Sequence, residues 1–140
     1  MKNIDLEIEE LEKALLQINR IKAAEIFERC YAGENSFAIL EQLAIRALGN
    51  VGAGWENGTI SLSQVYMSGI ICEELMDEYL PKLEVKRTEV PKMEIAVLQD
   101  HHALGKRIVY SILRAGGFEL LDFGHGQTVD AIVKKPWKTR

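Results

Sequence analysis

The chain has 140 residues, enough for one domain or two very small ones, with 47% hydrophobic and 27% charged. Its net charge of −4 offers no basic field for nucleic acid. There is no run of about eighteen uncharged apolar residues to span a membrane, and the acidic opening MKNIDLEIEELEK is unlike a secretory signal. A cytoplasmic protein is therefore expected, with Cys30 and Cys72, which lack CxxC spacing, read as reduced and partly buried thiols.

Residues 4–18, IDLEIEELEKALLQI, set Ile4, Leu6, Ile8, Leu11, Leu15 and Ile18 at three- and four-residue steps with acids between, an amphipathic helix that Asn3 can cap. A second helix is predicted from about Arg20 to Tyr31, stopping at Gly33. A third follows Asn35 and Ser36 through FAILEQLAIRALGNVGAGW. A fourth runs from near Ser61 through LSQVYMSGIICEELMDEYL until Pro81 stops it. The first eighty or so residues read as a four-helix bundle. The texture then changes. PKLEVKRTEVPK holds two prolines and alternating charges with little to bury, and is predicted to be a linker. MEIAVLQ is a short β-rich run, and HHALGKRIVYSILRAGG has helical periodicity, with Leu104, Ile108, Ile112 and Leu113 sharing a face with Val109. FELLDFG is a second apolar strand, and QTVDAIVKK suits a short helix. Strand, helix and strand at this spacing form a βαβ unit with parallel strands.

The expected fold class is α+α/β, an N-terminal four-helix bundle followed by a truncated parallel Rossmann-like unit. Boundaries are expected at 1–81 for the helical domain, 82–92 for the linker and 93–140 for the partial α/β domain. In a parallel sheet, ligands sit beyond the carboxyl ends of the strands. The loop DHHALG lies there. Asp100 stands two residues before His102, where its carboxylate can hold one ring nitrogen and leave the other as an electron-pair donor. Gly105 lets the following helix start close to whatever the loop embraces. From residue types alone Asp100 equally suits a helix cap with both histidines in solvent. A zinc site would have only His101, His102, His125 and scattered carboxylates to draw on, and neither cysteine lies near the loop.

D-x-H-x-x-G, here Asp100, His102 and Gly105, resembles the signature of cobalamin-binding domains in which a protein histidine replaces the nucleotide base beneath cobalt. ALGNVGAGWENGTISLSQVYMSGIICEELM resembles the helical cap of corrinoid methyltransferase proteins, a methionine-synthase-like cap with a V-G-x-x-[FW]-x-x-G turn. LGKRIVYSILRAGGFELLDFG resembles their first crossover helix and second strand. The resemblance spans roughly residues 36–130. It implies a cobalamin cofactor with His102, not His101, as lower axial cobalt ligand, Asp100 polarising it and Gly105 admitting the corrin edge. It implies that Trp55, with Val51 and Leu62, belongs to the turn packed over the upper corrin face, although a large aromatic there also suits plain packing. His125 in DFGHGQ follows the second strand, on the same sheet edge as His102. It is read as a contact to a corrin amide, with an ordinary loop residue as the alternative.

Members of this family carry further strands, whereas this sequence runs out at VKKPWKTR, and two strands bury too little to stand alone. The open sheet is therefore expected to be covered by the bundle, by a second copy in a homodimer, or by cobalamin itself. Two functions follow from the resemblance. The first is a corrinoid protein carrying a methyl group between methyltransferase subunits. The alternative is a non-catalytic cobalamin store, sensor or truncated interaction module.

Overall fold

Asn3 accepts a hydrogen bond from the Asp5 backbone N–H at 3.1 Å and so starts the first helix, α1 (Ile4–Leu16). The structure, a computed structural model, describes residues 3–79, 93–98, 103–115 and 118–134. Helix α1 buries Ile8, Leu11, Ala14 and Leu15 and stops two residues short of the predicted Ile18. There the Asn19 N–H reaches back to the Ala14 carbonyl at 2.8 Å and the Ile18 N–H to Leu15 at 3.0 Å. This is a Schellman stop with Ile18 in the left-handed region, φ +53°, where glycine is usual. Asn19 then caps α2 (Arg20–Tyr31) through the Lys22 N–H at 3.0 Å.

Helix α3 (Ser36–Glu56) buries Leu40, Leu43, Ala44, Ala47, Leu48 and Val51, and α4 (Leu62–Tyr79) buries Val65, Ile71, Cys72, Leu75 and Met76. The four helices share one core, in which Leu11, Leu15, Ile26, Phe27, Leu40, Leu43, Ile71 and Met76 are sealed from water. Tyr79 stacks at a tilt on Phe27 and Tyr31, with ring centroids 5.9 and 5.3 Å apart, and its hydroxyl donates to Glu28. Burial first, then the Glu28 carboxylate, pushes the Tyr79 phenol above its ordinary range. Both cysteines are buried and unbridged, and burial pushes the Cys72 thiol up to about 12.

The α/β part follows the predicted order. Strand β1 (Met93–Ile95) pairs in parallel with β2 (Leu120–Asp122), in register Met93 with Leu120 and Ile95 with Asp122. Between them runs α5 (Ala103–Ala115), and α6 (Val129–Val133) closes the described chain, capped by Thr128 through the Ala131 N–H at 3.1 Å. The molecule is thus mostly helical with a small parallel sheet. Residues 80–92, including the expected linker, lie outside the described residues.

The burial of α5 differs from the predicted apolar stripe. Its most buried described residues are Ser111 and Ala115, while Val109 and Ile112 are exposed. Two causes combine. Helix α5 packs closely on α4, where a side-chain atom added at Gly69 would stand 3.2 Å from the Ser111 Cβ, so small residues belong at the contact. Among the described residues the sheet has two strands, and Val109 and Ile112 stay exposed beside it. Ala115 accordingly joins the core of the four helices.

Candidate functional site

The turn between α3 and α4 is fixed from both ends. At the close of α3 the Thr59 N–H donates to the Gly54 carbonyl at 2.8 Å and the Gly58 N–H to Trp55 at 3.1 Å. Gly58 takes φ +82°, the left-handed position a Schellman stop requires. At the start of α4, Ser61 and Gln64 form a capping box: the Ser61 N–H donates to Gln64 Oε1 at 2.9 Å, and the Gln64 N–H donates to Ser61 Oγ at 3.2 Å. Ile60 tucks against Gly54, where a Cβ would lie 2.3 Å from its Cδ1. This rigid corner leaves Trp55 51% exposed and Leu62 38% exposed, side by side across the turn in sequence. Val51, one helical turn earlier, is fully buried and supports the corner from within.

The second surface is the carboxyl edge of the sheet. Beyond β1 the chain stays extended to Leu98, which bridges Gln127. The Val97 N–H donates to the Gly124 carbonyl at 3.0 Å, and the Gln127 N–H donates to the Val97 carbonyl at 3.0 Å. His125 and Gly126 are thereby held as a bulge opposite Val97. Gly124 and Gly126 take φ +82° and +65°, conformations that exclude other residues without strain. His125 is exposed, and a Cβ at Gly124 would meet nothing within 4 Å. Asp122 closes the segment from below, its Oδ1 accepting from the Gly124 N–H at 2.8 Å and from Lys106 Nζ at 2.6 Å. Burial alone would raise the Asp122 carboxyl. The Lys106 ammonium and the Gly124 N–H outweigh it and hold the group below the usual carboxylate range.

Helix α5 connects the two surfaces. Glu73 of α4, 8% exposed, accepts from Ser111 Oγ at 2.9 Å and from Arg107 Nη2 at 3.0 Å, and Arg114 pairs with Asp77.

Of the residues singled out from sequence, Trp55 and Leu62 flank the α3–α4 turn and are both exposed, Val51 is buried one turn before Trp55, and His125 is on the sheet edge. Gly105 falls in the first turn of α5, and Asp100 and His102 lie outside the described residues. Sequence reading missed Lys106, Asp122, Glu73 and Ser111. A signal existed for the first pair, since a lysine in a helix's first turn and an Asp-x-Gly after a strand both ask for a partner.

A helical layer joined to a parallel βαβ unit, with an exposed aromatic at the α3–α4 turn and an open carboxyl edge on the sheet, suits the class of cofactor-binding proteins. Residues 7–79, just over half of the chain and all of α2 to α4, match the model of the B12 binding domain. The chain belongs to the B12 binding domain family, whose cofactor is cobalamin. Among known proteins it is 26% identical over 127 residues to trimethylamine corrinoid protein 1 of Methanosarcina acetivorans, covering 87% of this chain and 59% of that one. It also resembles two solved structures, each at 24% identity. A cobalamin-binding protein from Desulfitobacterium hafniense superposes with a TM-score of 0.74 over 96% of this chain and 63% of that one. A methanol:cobalamin methyltransferase complex from Methanosarcina barkeri gives 0.67 over 92% of this chain and 51% of that one. The chain spans between about a third and three-fifths of the length of the curated relatives it matches.

The described residues suit a broad, flat macrocycle fringed with amides. Trp55, Leu62 and Leu98 offer exposed apolar surface, and the space beside Gly124 is open.

Proposed function

We propose that this chain is the corrinoid-binding component of a methyltransferase system and carries a methyl group between its partner subunits. His102 is the lower axial ligand of cobalt, Asp100 orients its imidazole, and Gly105 admits the corrin edge. Residues 1–81 act as the cap, 82–92 as the linker and 93–140 as the lower, partial α/β domain. Trp55 and Leu62, backed by the buried Val51, shield the upper face from water, and His125 contacts the rim. When bound, the corrinoid supplies the methyl-carrying chemistry, and the protein supplies binding, orientation and exclusion of solvent.

The observation that carries this reading is the exposed Trp55–Leu62 corner, held by a Schellman stop and a capping box within the segment matching the B12 binding domain. The relatives named for trimethylamine make methylamines the first donor class to try. Among the described residues no helix is long and apolar enough to cross a membrane. A homodimer would cover the open sheet.

Thermal unfolding with increasing hydroxocobalamin tests the binding. The melting temperature is expected to climb with ligand concentration by mass action, and an unchanged curve contradicts the proposal. A chain that binds the cofactor but accepts no methyl group from any methylamine methyltransferase is a store or sensor instead.

A further inference from the structure

Lys106 breaks a local rule. It stands in the first turn of α5, where unpaired backbone N–H groups make the helix end positive and a cation is disfavoured. Its side chain is nevertheless only 9% exposed, in a residue type almost never buried unless paired. The partner is Asp122, the last residue of β2, at 2.6 Å. Through the same Oδ1, Asp122 holds the Gly124 N–H at 2.8 Å, and Gly124 and Gln127 are tied to Val97 at 3.0 Å each. A single ammonium, one residue after Gly105, is thus coupled through one carboxylate to the whole segment bearing His125. Asp122 receives two donors on one oxygen, so losing either partner alters the geometry the other experiences.

We propose that Lys106 and Asp122 form a positioning latch that sets the spacing between the first turn of α5 and the His125 segment after β2, and hence the frame in which the sheet's carboxyl edge receives the corrin. Neither residue touches the cofactor. Their role is to hold the amino end of α5 and the His125 bulge in register before binding, which lowers the ordering cost of binding. The proposal rests on the corrinoid-binding reading for its ligand, but the latch itself is a property of the free chain.

The test uses the full chain with Lys106→Met, Asp122→Asn and the double variant, measured in two ways. In the cofactor-free protein, amide hydrogen exchange at Gly124 and Gln127 should quicken about tenfold in all three variants, while the Leu11 and Leu43 amides keep their protection. Titration with hydroxocobalamin should show affinity falling about tenfold in each single variant and no further in the double, with an altered visible spectrum. Lys106→Arg, which keeps the charge, should restore most of both. Unchanged loop exchange overturns the latch, as do affinity losses that add in the double variant. If Lys106→Met fails to fold, Asp122→Asn, which keeps its shape and an acceptor for Gly124, carries the test. If the unmutated chain takes up no hydroxocobalamin, the corrinoid reading fails. Loop exchange alone then decides for or against the latch.

Discussion

Replacing Glu73 by alanine is expected to destabilise the protein by about 2–5 kcal/mol, and the sum follows from its surroundings. The residue is 8% exposed, and its carboxylate accepts from Ser111 Oγ at 2.9 Å and Arg107 Nη2 at 3.0 Å. Removing it strands the hydroxyl of Ser111, a residue 1% exposed, at a cost of about 1–3 kcal/mol. Arg107 adds about 1 kcal/mol at most, because its side chain is 36% exposed and water takes over its solvation. The packing lost with the side-chain methylenes adds about 1 kcal/mol. Urea denaturation reads the free energy, and the melting temperature should drop by about 3 °C per kcal/mol for a chain of this size. The pair Glu73→Leu with Ser111→Ala should recover most of the loss, since it removes donor and acceptor together. The reasoning fails if Glu73→Ala lies within about 0.5 kcal/mol of the parent, or if the pair is no more stable than Glu73→Ala alone.

Other outcomes follow from the same geometry. Trp55→Ala should leave the cofactor-free protein within about 2 kcal/mol of the parent, because the ring is half exposed, yet weaken hydroxocobalamin binding about tenfold or more. Paired urea melts and titrations separate the two effects, and equal affinity would count against the corner as a cofactor surface. Gly124→Ala meets no atom within 4 Å, but its φ of +82° should cost about 1–2 kcal/mol and speed exchange at Gln127, whereas Gly49→Ala, with equal space and ordinary φ, should not destabilise. For Cys72 the sign is set by burial, which raises the folded thiol to about 12. The unfolded chain then loses its proton first as pH rises. Stability is therefore full below the ordinary thiol value and falls between that value and 12, by up to about 1.4 kcal/mol per pH unit. Cys72→Ala should flatten this alkaline slope in urea melts at pH 8 to 11, and an identical slope would show that the thiol does not titrate there.

The helices were legible because punctuation and periodicity agreed. Asn3 and Ser61 stand before apolar runs with helical spacing, and Gly33 follows one. The strand–helix–strand order and parallel pairing also followed from spacing alone. What could not be read was the side of α5 that meets α4. That contact is made by Gly69, Ser111, Ala115 and the buried carboxylate of Glu73, residues that a hydrophobic pattern scores as surface or as nothing. The early end of α1 was missed for a related reason, since a β-branched Ile18 at φ +53° occupies a position where sequence rules expect glycine. At the site, the corner was read through the resemblance, on the V-G-x-x-[FW]-x-x-G turn that holds Val51 and Trp55. The burial of Val51 and the Lys106–Asp122 pair depend on partners distant in the chain, to which local patterns are blind.

The most direct measurement is the visible spectrum of the chain after incubation with hydroxocobalamin and desalting, compared with that of His102→Ala. The unmutated chain should retain about one equivalent of red-brown cofactor, and the variant should hold less and absorb at different wavelengths, as replacement of the axial imidazole requires. A colourless unmutated chain, or two identical spectra at equal affinity, would contradict the assignment of His102 beneath cobalt.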